Sequence, residues 1–120
     1  MAEHNDTGQK GEELAAQFLQ NKGYIILETN WRFKNLEADI IAQINKTLIV
    51  AEVKTRKSNY FGEPETFVNK QKQKNLIKAA NGYIQRNNLD LEVQFDIVSI
   101  IMGDNQVKIN HIEDAFLFSH

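Results

Sequence analysis

Leu48-Ile49-Val50-Ala51-Glu52-Val53-Lys54, read together with Glu37-Ala38-Asp39-Ile40-Ile41-Ala42 a few residues earlier, decides the fold of this 120-residue chain. Both runs are rich in the aliphatic and β-branched residues that favour strands, yet each carries charge within the apolar pattern. Side chains alternate across a strand, so Glu52 and Lys54 continue the face of Leu48 and Val50, while Glu37, Asp39 and Ile41 share a face of the other run. If Asn45-Lys46 is a two-residue hairpin loop, Ile44 pairs with Thr47, Ile41 with Val50, Asp39 with Glu52 and Glu37 with Lys54, a register that a four-residue loop keeps and a three-residue loop breaks. Two carboxylates then stand directly opposite each other with Cβ atoms about 4.5–5.5 Å apart, an arrangement that destabilises a sheet unless positive charge lies between them. Hard divalent cations take carboxylate, carbonyl and water oxygens. The expected metal ligands are therefore Asp39, Glu52 and the backbone carbonyl of Val53, holding Mg²⁺ or Mn²⁺. Lys54 on the same face is expected to assist a metal-activated water or to stabilise charge on a phosphate.

Working outward, the first element is expected to be a helix from about Thr7 to Lys22, capped by Asp6 or Thr7 and stopped at Gly23. At 100° per residue Gly11, Leu14, Ala15, Phe18 and Leu19 form its apolar face. Glu12 lies at the edge of that face, where it can look into a site, and Glu13 points to solvent. Strands follow at Tyr24–Phe33, Glu37–Ile44 and Thr47–Thr55 as an antiparallel meander. A second helix spans about Asn69 to Asn87, with Leu76, Ile77, Ala80, Tyr83 and Ile84 at helical spacing. Leu91–Met102 reads as a strand, Gly103-Asp104-Asn105 as a turn, Gln106–His111 as a last strand and Ile112–Phe118 as a short terminal piece. The order αβββαββ predicts an α/β domain, a mixed sheet flanked by helices, with the strand after the second helix parallel to an earlier one.

Composition bounds the function. The single Pro and the absence of repeats leave residues 1–120 as one domain. Without cysteine there is no disulfide scaffold, thiolate zinc site, iron–sulfur cluster or cysteine nucleophile. No apolar run approaches the roughly 20 residues of a membrane span, and the start is polar, so a soluble, cytoplasmic protein is expected. The net charge of −2 argues against a simple nucleic-acid coat protein. It conceals a segment from Lys54 to Arg86 with eight basic and two acidic residues, a local +6 that leaves −8 elsewhere.

These motifs together resemble the YraN-like family of small bacterial predicted endonucleases, related in fold to restriction endonucleases and archaeal Holliday-junction resolvases of the PD-(D/E)xK superfamily. The resemblance rests on Gly8-x-x-Gly11-Glu12-x-x-Ala15, Gly23-Tyr24, Asn30-Trp31-Arg32, Glu37-x-Asp39-Ile40-Ile41-Ala42 and Glu52-Val53-Lys54-Thr55-Arg56. It continues through Phe61-Gly62-x-Pro64 with Val68 and Lys72, Phe95-Asp96-Ile97-Val98 and His111-Ile112-x-Asp114-Ala115-Phe116, covering nearly the whole chain. It implies a restriction-endonuclease-like fold and a Mg²⁺-dependent phosphodiesterase site of Asp39, Glu52 and Lys54, with Glu12 as an auxiliary carboxylate and Glu37 accompanying Asp39. Gln94 stands where the family usually has arginine.

The expected function is metal-dependent hydrolysis of phosphodiester bonds in DNA, branched or damaged DNA included. The alternative is a nucleic-acid-binding or adaptor module that keeps a nuclease-like fold without turnover. Arg32, Arg56, Lys72 and Lys74 are the candidate nucleic-acid contacts, Arg32 having a surface pairing with Glu28 as its plainer reading. Helix N-termini favour anions, which places Gln71 and Lys72 near a candidate phosphate. Trp31 with Phe33 reads as packing rather than as a base platform, and His4, His111 and His120 lack metal-ligand spacing. Asp96 reads as structural. Ala115-Phe116-Leu117-Phe118 with Tyr60-Phe61 offers apolar surface for a homodimer, Phe116 and Phe118 otherwise closing the protein's own core.

Overall fold

The computed structural model of the chain describes residues 2–116. Its elements are α1 (Ala2–Asn21), β1 (Ile25–Phe33), β2 (Leu36–Ile44), β3 (Thr47–Lys57), α2 (Lys70–Asn87), β4 (Glu92–Met102) and β5 (Val107–Phe116). The expected order αβββαββ is the observed one. The strands form one sheet in the order β1-β2-β3-β4-β5. Its first three strands are an antiparallel meander, β4 runs parallel to β3 through the α2 crossover, and β5 returns antiparallel. No helix among the described residues is long and apolar enough to cross a membrane.

Leu48, Ile49, Val50 and Ala51 are all buried because the sheet is covered on both faces. Ile49 and Ala51 pack with Ile40, Ala42, Val98 and Ile100 under Ala15 and Leu19 of α1. Leu48 and Val50 pack with Ile41 and Phe95 under Leu76, Ala80 and Tyr83 of α2. Trp31 stacks on Phe33 and meets Tyr83 edge-on, so it belongs to this second layer as expected.

Two expectations are corrected at element ends. Helix α1 begins at Ala2, so Asp6 and Thr7 lie within it rather than capping it; no proline or glycine between Ala2 and Thr7 stops the helix earlier. Its other end is as expected: Gly23 takes a left-handed φ of 97°, and the Tyr24 amide donates back to the Leu19 carbonyl. The last strand does not stop at His111 but continues to Phe116, where the described residues end; Leu117 and Phe118 lie outside them, as does His120. Asp96 explains this continuation. Between Phe95 and Ile97 the β4–β5 register shifts. Across the irregularity Asp96 Oδ1 accepts the backbone amide of Asp114, a residue at φ 52°. The carboxylate thus joins two halves of a strand whose side-chain alternation is broken.

The fully buried Asp96 is satisfied by three residues, and Lys22 backs one of them. Oδ1 also accepts from Gln94 Nε2 at 3.0 Å, so a neutral amide serves where the family pattern has arginine. Oδ2 lies 2.7 Å from His111 Nε2. Nδ1 of the same ring is 2.7 Å from Lys22 Nζ. An ammonium has only donors, so Nδ1 accepts and Nε2 carries the proton toward Asp96. Tyr24 and Phe18 meet the imidazole edge-on. His111 therefore ties α1 to β4 and β5. Phe116 stacks on Phe95 at 4.9 Å between centroids, within the protein's own core.

Gly11 lets α1 lie close to β3. A Cβ there would sit 1.9 Å from Thr55 Oγ1 and 3.0 Å from Thr55 Cβ, whereas one on Gly8, a turn earlier, meets nothing within 4 Å. Replacing helical glycine by alanine ordinarily stabilises by about 1 kcal/mol. Gly8→Ala should follow that rule, and Gly11→Ala should instead destabilise by about 1–3 kcal/mol through overpacking. Urea denaturation checks this, and equal stabilisation by both would contradict the close approach.

Candidate functional site

The site is a fork in the sheet. Strands β2 and β3 pair in the register set by Asn45-Lys46, through Ile44 with Thr47 and Ile41 with Val50 to Ile40 with Ala51, and there the pairing ends. The next two expected pairs, Asp39 with Glu52 and Glu37 with Lys54, do not form as sheet pairs. Beyond Ile40 the start of β2 stays on β1, through Trp31 with Ala38 and Arg32 with Glu37. Strand β3 meanwhile stays on β4 as far as Lys57 with Met102. Facing carboxylates disfavour a continued ladder, and the Val53 amide finds another acceptor. It donates to Asp39 Oδ2 at 2.9 Å, in place of a β2 carbonyl. In an extended strand a residue's N–H and C=O point to the same side, so the Val53 carbonyl also faces the fork.

Opposite Asp39 on β1, Asn30 has a left-handed φ of 51°, a conformation asparagine tolerates better than most residues. Its side chain hydrogen-bonds Glu12. This contact was not anticipated from the residues, although asparagine within an otherwise strand-forming run was its visible signal. Glu12 is half-buried and Glu13 exposed, as the helical geometry requires.

The three carboxylates form a series through the sheet. Glu12 approaches Asp39 from the α1 side, and burial followed by the Asp39 charge pushes its carboxyl above the usual range, against the Asn30 hydrogen bond. Glu52 lies on the α2 side with Lys54. Burial, then the charge of Asp39 and a hydrogen bond with it, raise the Glu52 carboxyl to about 7, only partly offset by Lys72. One Glu52 oxygen, Oε1, is buried without a hydrogen-bond partner, and the other lies 3.4 Å from Lys72 Nζ. An orphaned buried carboxylate oxygen beside a second carboxylate is a donor set suited to a hard cation. Asp39, Glu52 and the Val53 carbonyl are the residues that would hold it. Among the described residues no three His, Cys, Asp or Glu side chains form a group that could hold a metal ion; a cation at the fork would have two carboxylates and a backbone carbonyl from the protein, and would take its remaining ligands from water.

Glu52, Lys54, Phe67, Asn69 and Lys72 line a cleft of about 200 Å³ on the α2 side. Lys54 is lowered from the usual lysine range, first by burial and then by Arg56, and its ammonium donates to the Phe67 carbonyl. Asn69 caps α2 by accepting the Lys72 amide at 2.8 Å, which fixes the helix end that presents Lys72. The remaining predicted residues are not gathered there. Arg32 is exposed and pairs at 3.5 Å with Glu37, not with Glu28, which accepts from Tyr83 instead. Arg56 lies over the Tyr60 ring at 4.2 Å in an adjoining cleft. Lys74 is exposed, about 200° around the helix from Lys72, and Gln71 is exposed and bonds Asn75.

The sequence profile of the uncharacterised protein family UPF0102 matches residues 11–100, a span that holds Glu12, Asp39, Glu52, Lys54 and Lys72. A UPF0102 protein of Flavobacterium psychrophilum is 53% identical over 97% of this chain and 98% of its own length. Another, from Christiangramia forsetii, is 51% identical over 98% and 99%, and one from Bacteroides thetaiotaomicron is 40% identical over 97% and 96%. The chain belongs to the UPF0102 family.

Proposed function

We propose that the fork is a phosphodiesterase site and that the protein is a metal-dependent endonuclease acting on DNA, with Mg²⁺ or Mn²⁺ as its cofactor. The observation that carries this reading is the pair Asp39 and Glu52, held together at the end of the β2–β3 ladder with one buried carboxylate oxygen unpartnered and two lysines beside it. The resemblance to PD-(D/E)xK endonucleases supports it. A bound divalent cation supplies charge stabilisation on the phosphate and an acidified water. Asp39 and Glu52 hold that cation, and Asp39 keeps its direction through the Val53 amide. Lys54, released from the Phe67 carbonyl, donates to a phosphate oxygen or orients the attacking water. Glu12 accepts a proton from the α1 side, a role its raised carboxyl suits. Each chain has one such cleft and cuts one strand, so scission of both strands takes a two-fold pair of chains.

A second reading, a nucleic-acid-binding or adaptor module without turnover, draws on a different observation. Lys72 partly neutralises Glu52, and Lys54 is bonded to Phe67, so both cationic groups have partners within the protein itself.

Cleavage of a supercoiled plasmid with Mn²⁺ separates the two readings. Asp39→Asn, Glu52→Gln and Lys54→Met should each lower the rate by at least about a hundredfold while the proteins remain folded. Wild-type cleavage no faster than that of these variants would favour the adaptor.

Glu52 also gives a pH signature. Its carboxyl lies at about 7 in the folded protein against 4.5 ordinarily. Between those values the folded state holds a proton that the unfolded chain releases. Its stabilising contribution is thus complete below about 4.5 and is lost as pH rises through about 7. In chelator, the wild-type melting temperature should fall between pH 5 and pH 8 by several degrees more than that of Glu52→Gln. Parallel curves would contradict the perturbed carboxyl.

On duplex DNA, Lys72→Ala and Arg56→Ala should each reduce the log–log salt slope of binding by about 0.9. Lys74→Ala, on the solvent side of α2, should leave the slope unchanged; equal effects of all three would mean that the two adjoining clefts do not define the contact.

A further inference from the structure

Between β3 and α2 the chain crosses residues 58–69 as a loop, at the long end for a compact domain. Three of the five large hydrophobic side chains most exposed among the described residues stand on it. Phe61 is fully exposed at 102%, and Tyr60 and Phe67 are nearly half exposed. Phe67 walls the cleft of Glu52 and Lys54, while Tyr60 lines the adjoining cleft with Arg56 and Lys57. Glu63 borders both, so the loop stands between them.

The local packing turns Phe61 outward. The Arg56 guanidinium lies over the Tyr60 ring, and Gly62 lies so close to that ring that a Cβ would be 2.1 Å from the hydroxyl and 2.5 Å from Cζ. Tyr60 is thereby occupied from within the protein, and the intervening Phe61 faces solvent. Each partly exposed ring also has a cation against it, Arg56 on Tyr60 and Lys54 at 5.8 Å from the Phe67 centroid. Flat apolar faces beside fixed positive charge match a strand that offers bases and phosphates together. A protein partner would need about 800 Å² of contact on this side, and Glu63, Pro64, Glu65 and Thr66 interrupt the apolar surface.

We propose that Phe61 is a stacking platform for an unpaired nucleobase, held while the neighbouring phosphate lies in the Glu52–Lys54 cleft. The substrate class is then nucleic acid with at least one unpaired nucleotide at the cut: a single strand, a flap or a fork. This rests on the phosphodiesterase reading for the identity of the cleft. A base stacked on an aromatic ring is worth about 1–3 kcal/mol, so losing it weakens binding roughly 5- to 150-fold. A fully paired end offers no such base and loses nothing.

The test uses Asp39→Asn as background, so that binding is read without turnover. Fluorescence anisotropy with a 5′-labelled oligothymidine, a forked duplex and a blunt duplex is compared with and without Phe61→Ala, and Phe61→Trp serves as the conservative control. The expected result is a loss of at least about fivefold on the single strand and fork, blunt-duplex affinity within about twofold, and recovery by Phe61→Trp. Equal loss on all three ligands, or no loss, overturns the proposal. So does a change confined to the sedimentation coefficient, which would make Phe61 a contact between copies of this chain. If wild type cuts nothing while the single-strand loss persists, the nuclease reading fails and the stacking platform stands. Absence of binding to every oligonucleotide overturns both.

Discussion

The amide of Val53 donates to the carboxylate of Asp39 at a point where one strand of a hairpin would ordinarily answer the other. That bond lets β2 part from β3 after Ile40 and Ala51 without orphaning the amide. The parting opens the space in which Asp39, Glu52 and the Val53 carbonyl converge. Two facing carboxylates in a continuous ladder would repel at close range, and the fork relieves this while keeping them near enough for Asp39 to raise Glu52. The local sheet defect and the candidate chemistry share one cause.

Each helix supplies one side of the fork and is positioned by a specific contact. Gly11 brings α1 down on Thr55, next to Lys54, and so carries Glu12 toward Asp39. Asn69 fixes the start of α2, and Lys72 reaches back to Glu52. The cluster of Asp96, His111 and Lys22 lies outside this arrangement and closes the sheet between α1 and β5. Carboxylates therefore occur in two settings, Asp96 fully buried and Glu52 partly so. At Asp96 every oxygen has partners, whereas at Glu52 one oxygen has none. That asymmetry is what a structural carboxylate and a candidate ligand-binding one would show.

Much of this was legible in the residues. The register from Ile44 with Thr47 to Ile41 with Val50 followed from the two-residue loop, since an apolar run buried on both faces does not by itself select one. Helical geometry separated Glu12 from Glu13, since both lie on a regular helix. What the pattern did not disclose were departures from regularity that depend on long-range partners. The left-handed Asn30 answers Glu12, and the left-handed Asp114 answers Asp96 across the sheet. Those two break the alternation on which strand reading depends, which is why β5 was expected to stop at His111. The partner of Arg32 was missed for a related reason: the cross-strand register brings Glu37 opposite, while Tyr83 of α2 engages Glu28.

The chemistry proposed for the fork depends on Asp39 and Glu52 acting together as cation ligands. Isothermal titration of the chelator-treated protein with Mn²⁺ at pH 8, where the Glu52 carboxyl is ionised, tests that most directly. One ion per chain should bind in the millimolar range or tighter to wild type, and neither Asp39→Asn nor Glu52→Gln should retain it. Binding that survives both substitutions, or no binding to a wild-type protein that is folded, would contradict the account.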